Sequence, residues 1–286
     1  MSEVVKKPYG FTVEELGQLE TVYKEDLFKG KVVLVSGAGS GLGQAIAFLF
    51  GRLGAKLFIC GRDPEKLAAT EQALKSLGVE VRSKSMTIRD AEQVSALIND
   101  VWEGYGQLDV QVNNAGGQFP QAALDFKVKG WQAVIDTNLN GTWYMMQSAA
   151  KRWVEEGQPG SIINIVADFW RGMPGIAHTC AARAGVTYLS KSVAVEWAPH
   201  NIRVNCVAPG CVETPGFNVY PEEGSATFAE SNPMRETGDA QDIAESCVYL
   251  ASNSGKFITG EVITVDGGQQ MWGDPWPIGR PDYFKL

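Results

Sequence analysis

The sequence predicts a single α/β domain, built as a doubly wound parallel sheet of about seven strands. Two observations predict it. Short apolar runs bounded by turn residues alternate with longer amphipathic stretches along nearly all of the 286 residues, as in repeated strand–helix–strand units. With 44% hydrophobic and 20% charged residues, the chain also has enough apolar side chains to bury a substantial core.

Strands are predicted where β-branched runs lie between turn residues, which is the pattern of strands buried on both faces. The first run lies between Gly30 and Gly37, and the others have the same character. The predicted strands are 32–35, 57–60, 79–85, 108–112, 161–166, 202–207 and 262–265.

Amphipathic stretches fill the gaps between these runs and predict helices. One start is marked clearly, because Asp63 is a good N-cap and Pro64 suits the first helical position. The predicted helices are 41–53, 63–77, 90–102, 131–155, 179–197 and 240–251, where the second range includes the N-cap Asp63.

The two ends differ from the regular middle of the chain. Residues 1–28 are polar and mixed, with a short helical pattern around 13–23, and indicate an N-terminal extension. The dinucleotide-binding and catalytic domain is expected to span 29–270. The tail 271–286, which contains several Trp and Pro residues, is expected to be irregular from Gly268 onward.

Charge and composition exclude several classes of protein. Lys and Arg number 25 against 33 Asp and Glu, a net charge of −8, which disfavours nucleic-acid binding. Five cysteines without a CxxC pair favour a reducing compartment, and we expect a cytoplasmic protein. Two histidines make a metal centre improbable. No apolar stretch is long enough to predict a membrane span.

A glycine-rich turn follows the first predicted strand and opens a helix. It reads Gly37-Ala-Gly-Ser40-Gly41-Leu42-Gly43. A tight turn whose backbone amides approach a pyrophosphate needs glycine, and a helix N-terminus attracts the anion. The strand, the turn, the helix and the next strand follow one another as in a Rossmann-type dinucleotide site, so a merely structural role for these glycines is the weaker interpretation.

These glycines and five further motifs resemble the short-chain dehydrogenase/reductase family over residues 30–270. The other motifs are Asn113-Asn114-Ala115-Gly116, Asn138, Ala208-Pro209-Gly210 with Thr214, Ile258-Thr-Gly260 and Asp266-Gly-Gly268. The resemblance implies that Asn114, Ala115 and Gly116 line the cofactor. It also implies that Pro209, Gly210 and Thr214 hold its nicotinamide end.

The residues after the second strand predict which nicotinamide cofactor binds. An acidic residue there would bond the ribose 2′-hydroxyl of NAD, but the strand ends at Cys60 and Arg62 follows. A guanidinium can pair with a 2′-phosphate, so NADP(H) is expected and NAD is less favoured. The alternative is that Arg62 is only an exposed loop charge. Thr87 takes the adenine position, where the family often has an aspartate.

The family's Ser-Tyr-Lys catalytic set is not present in this chain. At the matching positions the sequence has Val166, Thr179 and Arg183, and only the helix asparagine Asn138 remains. Threonine is far too weak an acid to replace a tuned tyrosine, whereas arginine keeps a cation that can bind the ribose. We therefore expect Asn138, Thr179 and Arg183 to form an atypical catalytic site, and an ordinary alcohol dehydrogenase is disfavoured.

Within the family the chain most resembles the peroxisomal-type trans-2-enoyl-CoA reductases. The resemblance is carried by residues 113–119, by Lys129-Gly-Trp131 and by His178-Thr-Cys-Ala-Ala-Arg183-Ala-Gly185. The neighbouring branch of dienoyl-CoA reductases also lacks the tyrosine. The resemblance implies hydride transfer to the C=C bond of an enoyl thioester, and Thr179 can donate a hydrogen bond to the thioester oxygen. Its alternative role is a helix threonine bonded to its own backbone.

Several residues near the predicted site are candidates for binding substrate. Asp168, Phe169 and Trp170 leave the fifth strand at its carboxyl end, and Phe119 follows the fourth. His178 is a possible proton donor. Each has a plainer alternative: a surface carboxylate for Asp168, aromatic packing for the three rings, and a packed loop residue for His178.

The sequence therefore leaves three hypotheses for the function. The first is an NADP(H)-dependent reductase of an enoyl thioester. The second is a ketone or alcohol oxidoreductase with a relocated acid, and the third is a cofactor-binding pseudoenzyme, because three catalytic groups are changed. Helices 131–155 and 179–197 are apolar on more than one face, which predicts a homo-oligomer, a tetramer or a dimer.

Overall fold

Seven parallel strands lie side by side across the middle of the molecule. The computed structural model describes residues 9–220 and 222–272. Its strands are β1 (Val32–Ser36), β2 (Lys56–Gly61), β3 (Val81–Ser85), β4 (Val110–Asn113), β5 (Gly160–Ile165), β6 (Ile202–Pro209), β7 (Val212–Glu213), β8 (Gly238–Asp239) and β9 (Val262–Val265). The main sheet has the order β3-β2-β1-β4-β5-β6-β9, and β7 pairs with β8 beside it.

Helices cover both faces of the sheet. They are α1 (Val13–Leu16), α2 (Gly41–Arg52), α3 (Pro64–Ser76), α4 (Ala91–Tyr105), α5 (Val128–Ile135), α6 (Thr142–Glu156), α7 (Ala177–Trp197), α8 (Glu222–Ser225), α9 (Ala240–Ala251) and α10 (Gln269–Trp272). A π-helical segment, Asp136–Gly141, joins α5 to α6. Among the helices of the described residues, none combines the length and the apolar character that a membrane span requires.

The alternation of side chains along β1 explains why two cores form. Val33 and Val35 pack in the core shared with α2 and α9, whereas Val32 and Leu34 pack in the core shared with α4 and α6. All five residues of β1 are buried, as expected for a central parallel strand. The chain changes direction across the sheet between β1 and β4, and ligands of such sheets bind at the strand ends beside this point.

The predicted fold class is confirmed, and all seven predicted strands occur with ends displaced by at most two residues. The helix predicted at 131–155 was wrong in two respects. It begins earlier, at Val128, and the π-helical segment interrupts it. The amide of Asn138 inside this segment binds the backbone of Gly117, and a local widening of this kind is common where a helix serves a site.

The chain termini also differ from expectation. The helical pattern at 13–23 gives only the short helix α1, which ends at its C-cap Gly17. The tail was expected to be irregular after Gly268, yet α10 forms there because Asp266 accepts hydrogen bonds from the amides of Gly268 and Gln270. Residues 273–286 of the predicted tail, and 1–8 of the predicted extension, lie outside the described residues.

Candidate active site

The turn between β1 and α2 is built from positions that favour glycine. Gly37 and Gly41 have φ angles of +70° and +57°, which favour glycine. A Cβ atom on Gly43 would lie 2.3 Å from the Gly37 carbonyl oxygen. The N-cap Ser40 makes no side-chain cap hydrogen bond, so the first amides of α2 remain available to an anion. Leu42 follows in the first turn of the helix.

Asn114 fastens the end of β4 to the end of β1. Its Nδ2 donates to the carbonyl oxygens of Ser36 and Gly37, at 3.1 and 3.2 Å. The Ser36 hydroxyl accepts the amides of Asn114 and Ala115, both at 3.1 Å. This part of the predicted cofactor motif therefore holds the floor of the site rather than projecting side chains into it.

A cleft of about 420 Å³ opens above the glycine-rich turn. Predicted cofactor residues line it: Gly37, Ser40, Arg62, Thr87, Ala115 and Gly116. Lys66, which the sequence analysis did not single out, adds a second cation to the wall near Arg62. Its position in the first turn of α3, three residues after the Asp63 cap, is the signal that would have found it.

Arg183 lies buried beneath the same cleft. A Cβ atom on Gly116 would lie 2.3 Å from its Nη2, so the guanidinium packs directly against this lining residue. Burial lowers the pKa of Arg183 to about 10, which still leaves the side chain cationic at pH 7. Its Nη1 is buried and has no hydrogen-bond partner among the described residues. A glycine cradle with an unused buried donor fits the phosphates and ribose hydroxyls of a dinucleotide.

Both polar atoms of the Asn138 side-chain amide bond to the backbone of Gly117, in the loop that follows β4. Its Nδ2 donates to the Gly117 carbonyl and its Oδ1 accepts the Gly117 amide, both at 3.0 Å. The side chain is buried at 1% exposure. In this arrangement Asn138 fixes the loop that passes over Arg183, which makes it a positioning group.

His178 and Thr179 begin the helix that carries Arg183. The His178 ring is fully buried between Phe119 and Phe126, with centroid distances of 4.7 and 4.5 Å. Burial lowers the pKa of His178, which disfavours the charged imidazolium. This placement favours the packing alternative for His178 and for Phe119. The Thr179 hydroxyl lies 3.3 Å from His178 Nδ1.

A second cavity of about 190 Å³ lies beyond the glycine-rich turn. Four of the predicted cofactor residues line it: Leu42, Pro209, Gly210 and Thr214. The remaining wall is largely apolar and aromatic and includes Gln118, Met173, Ile176, Cys211, Phe217, Tyr220, Phe228 and Gln269. Gln118 Nε2 donates to the Tyr220 hydroxyl, and burial raises the pKa of Tyr220 to about 12. No spacing pattern in the sequence marks these residues, because they come from segments that lie far apart in the chain.

Asp168 is not among the described residues that line this cavity, but it directly follows the lining residue Ala167 in sequence. Its amide donates to the Pro209 carbonyl at 2.9 Å, and the residue is 6% exposed. Burial, and secondly the charge of Asp266, raise the pKa of Asp168 to about 6. The carboxyl therefore changes its protonation state near neutral pH.

The two aromatic residues after Asp168 lie elsewhere. Phe169 packs against a small core cluster that includes Val166, and its ring lies 4.7 Å from that of Trp170. Trp170 is 41% exposed. Neither residue is among the described residues that line the second cavity, so the structure gives no support to their predicted role in binding substrate.

Comparison with known proteins agrees with the geometry of the cleft. Residues 37–270 match the family model described as enoyl-(acyl carrier protein) reductase. The chain is 35% identical to a probable 2,4-dienoyl-CoA reductase of Bacillus subtilis, over 87% of this chain and 99% of that protein. It is also 35% identical to a peroxisomal 2,4-dienoyl-CoA reductase of Arabidopsis thaliana, over 89% and 88% of the two chains.

A 3-oxoacyl reductase and a dehydrogenase of known structure are similar to the chain as well. A 3-oxoacyl-[acyl-carrier-protein] reductase of Thermotoga maritima is 34% identical, over 84% of this chain and 98% of that protein. Among solved structures, a citronellol catabolism dehydrogenase of Pseudomonas aeruginosa superposes with a TM-score of 0.80 at 32% identity. The match covers 88% of this chain and all of the other.

Proposed function

The chain belongs to the short-chain dehydrogenase/reductase family, and we propose that it uses NADPH to reduce a C=C bond conjugated to a thioester. The observation that carries the proposal is the composition of the reaction site. Val166 and Thr179 offer no acid for a carbonyl oxygen, whereas the buried Arg183 still offers a cation to the cofactor. A reaction that protonates carbon rather than a carbonyl oxygen needs no tyrosine.

NADPH is the proposed cofactor, with NADH a weaker ligand. Arg62 and Lys66 both line the cleft, and neither Cys60 nor Gly61 at the end of β2 supplies a carboxylate. The Asp63 carboxylate also lines the cleft, but it accepts the amides of Glu65 and Lys66 as the cap of α3 and lies 3.8 Å from the Lys66 ammonium. Two cations beside the adenosine end suit a 2′-phosphate. When bound, NADPH would supply the hydride that adds to the alkene carbon distant from the carbonyl.

Thr179 is the proposed donor to the thioester oxygen. Hydride addition places negative charge on this oxygen, and a preorganised hydroxyl in a dry site stabilises it. Thr179 is 3% exposed and is not among the described residues that line either cavity, and its hydroxyl lies 3.3 Å from His178 Nδ1. What supports its role is its position on the same helix face as Arg183, four residues before it. Because an enolate is less basic than an alkoxide, a hydrogen bond is enough here and full proton transfer to oxygen is unnecessary.

The proton required at the α-carbon is proposed to come through Asp168. Its raised pKa of about 6 lets it hold a proton near neutral pH, as a general acid must. Asp266 keeps its place by accepting the amides of Gly268 and Gln270, at 2.8 and 2.7 Å. The neighbouring negative charge is thereby held in place, which sustains the shift of Asp168.

The second cavity is the proposed acyl site. Its apolar and aromatic wall suits a hydrocarbon chain, and the nicotinamide-end residues Pro209, Gly210 and Thr214 form its inner side. The 2,4-dienoyl-CoA reductases to which the chain is similar act on a longer conjugated system of the same kind, so both enoyl and dienoyl thioesters belong to the proposed substrate class.

A carbonyl reductase is the second candidate, and Asp168 is what favours it. A carboxyl with a pKa of about 6 beside the cavity is a possible relocated acid. If neither substrate class is turned over while NADPH still binds, the remaining hypothesis is a cofactor-binding pseudoenzyme.

The proposed assembly and compartment rest on other residues. The exposed apolar side chains of Tyr188 and Val195 on α7 support a homo-oligomer, and five free cysteines support a reducing cytoplasmic setting.

The test is an NADPH oxidation assay against enoyl-CoAs, dienoyl-CoAs and 3-oxoacyl thioesters. We expect turnover of the alkenes and at least about 100-fold lower kcat/KM for the carbonyl substrates. In the same assay Arg62→Ala should narrow the preference for NADPH over NADH about tenfold, because one charged contact to the phosphate is lost. Faster wild-type turnover of the carbonyl substrates, or equal use of NADH, would count against the respective part of the proposal.

A further inference from the structure

The residues ahead of α1 touch the loop that walls the acyl site. We call residues 9–12 the N-terminal arm. The Gly10 amide donates to Glu213 Oε1 at 3.3 Å, directly beside Thr214. The Tyr9 ring meets Phe217 edge-to-face at 5.4 Å, and its hydroxyl lies 3.4 Å from Ser225 Oγ. The arm therefore contacts the loop at three points spread over 213–225.

Tyr9 is the outermost ring of an aromatic cluster that reaches the cavity. Phe217 packs edge-to-face on Phe228 at 4.9 Å, and Phe228 packs on Tyr220 at 5.3 Å. These three inner rings line the second cavity. Since aromatic rings in contact hold one another in preferred geometry, Tyr9 restrains the wall from outside without lining it.

The arm is fixed at its other end to the body of the domain. Thr12 and Glu15 form a capping box that starts α1, and Leu16 is buried at 3% exposure. Arg52 on α2 donates to the Leu16 carbonyl at 3.2 Å and also to that of Leu19. Because the arm is anchored on α2, it cannot move outward together with the loop, and it therefore limits the outward movement of Phe217.

Gly10 is the position that lets the arm lie so close. Its φ is +84°, and a Cβ atom there would lie 3.0 Å from Pro215 Cδ and 3.3 Å from Thr214 Cα. Both the conformation and the approach to the loop therefore require glycine. Gly30 is a natural control, because its φ is +80° and no described atom lies within 4 Å of the corresponding Cβ.

We propose that the N-terminal arm is part of the substrate site, with Tyr9 a positioning residue that fixes Phe217 and thereby determines which acyl groups the cavity accepts. The proposal deepens the acyl-thioester function and rests on it for the nature of the substrate. Without the Tyr9 ring, Phe217 can move outward. The cavity then widens, which weakens the binding of short acyl groups and allows bulkier acyl groups to enter.

The kinetic test compares full-length Tyr9→Ala, Tyr9→Leu and Gly10→Ala with the Gly30→Ala control. KM and kcat are measured with a short and a long 2-enoyl-CoA at saturating NADPH. We expect Tyr9→Ala to raise KM for the short substrate about fivefold, the worth of one aromatic contact, while kcat changes less than about twofold. The KM of Tyr9→Leu for the short substrate should lie between those of wild type and Tyr9→Ala. The KM of Gly10→Ala should resemble that of Tyr9→Ala, and the KM of Gly30→Ala should equal that of wild type.

A second readout needs no turnover. Cys211 lines the cavity, so peptide-level mass spectrometry of iodoacetamide labelling reports how open the cavity is. Tyr9→Ala should label Cys211 about fivefold faster than the Gly30→Ala control does, with the Kd for NADPH unchanged. If labelling rises but wild type reduces no enoyl-CoA, the proposed function fails and the arm's role stands. If Cys211 labelling and the KM values equal those of wild type in every Tyr9 and Gly10 variant, the arm's role is overturned.

Discussion

The proposed cofactor half and the proposed substrate half of the site are built in different ways. The cofactor half is made largely of backbone: a contiguous strand–turn–helix in which a Cβ atom on Gly43 would clash with the Gly37 carbonyl and the φ angle of Gly41 favours glycine. The substrate half is made of side chains from distant loops, such as Gln118, Tyr220 and Phe228. A backbone site tolerates few sequences, whereas an apolar wall can be filled in many ways.

This difference predicts how each half responds to mutation. A side chain placed in the glycine-rich turn should stop cofactor binding outright. Changes in the substrate half should be graded, because each side chain supplies only one of several contacts.

Gly41→Val should abolish NADPH binding, with an increase in Kd of at least about 1,000-fold, since an amide-lined anion site is blocked. The φ of +57° adds a strain of about 1–3 kcal/mol to the folded state. Isothermal titration calorimetry measures the Kd. Gly30→Val carries a similar strain in open space and should bind NADPH normally. Normal binding by Gly41→Val would mean that the phosphate site lies elsewhere.

Arg183→Met should lower kcat/KM more than 100-fold while the protein stays at least as stable. The activity falls because charge-assisted hydrogen bonds to the ribose are lost, each worth about 1.5–3 kcal/mol. Stability is kept because burial lowers the pKa of Arg183, which means that the fold disfavours the cation that the unfolded chain carries at pH 7.

Steady-state kinetics and thermal melts of the Arg183 variant separate the two effects. Arg183→Lys, which keeps the charge, is the matched control and should recover part of the activity. Loss of stability without loss of activity would show that Arg183 serves the fold and not the cofactor.

Thr179→Val should lower kcat with an enoyl thioester about 100-fold, the cost of one donor to a developing oxyanion, and leave NADPH binding intact. The substitution keeps the shape of the side chain, so Thr179→Ser is the control that keeps the hydroxyl. Single-turnover rates measure the chemical step. A Val variant as fast as the Ser variant would exclude the hydroxyl from the reaction.

Asp168→Asn should change the pH profile more than the rate at its optimum. In wild type the protonated carboxyl is the active form, so kcat should fall as pH rises through about 6, and the Asn variant should lose this slope. Because burial raises the pKa of Asp168, wild-type stability relative to the variant should fall as pH rises from about 4 to 6 and then level off. A wild-type rate that is flat from pH 5 to 8 would remove Asp168 from the reaction.

The sequence predicted the backbone-built half well, for a physical reason. A Cβ atom would clash at Gly37 and Gly43, Gly41 has a φ angle that favours glycine, and the buried strands of the sheet have the apolar runs that such strands require. The π-helical segment around Asn138 was missed, because a single wide turn leaves the helical pattern of apolar residues almost unchanged.

The substrate half could not be predicted to the same degree. The pKa of Asp168 is raised first by burial and secondly by the charge of Asp266, which lies almost a hundred positions away in the chain. His178 was considered as a proton donor, yet it is enclosed by Phe119 and by Phe126, a residue that no motif indicated. Such neighbours are set by tertiary packing of loops, which leaves no periodic signal in the sequence.

The measurement that tests the central claim most directly follows the transferred hydride. Wild-type enzyme is given a 2-enoyl-CoA and NADPH deuterated at nicotinamide C4 on the transferred face, and the product is examined by NMR. Alkene reduction predicts a saturated acyl-CoA with deuterium at the β-carbon and a solvent hydrogen at the α-carbon. The contrary result is an unchanged enoyl-CoA together with deuterium on the carbinol carbon of the product when a 3-oxoacyl-CoA is supplied instead.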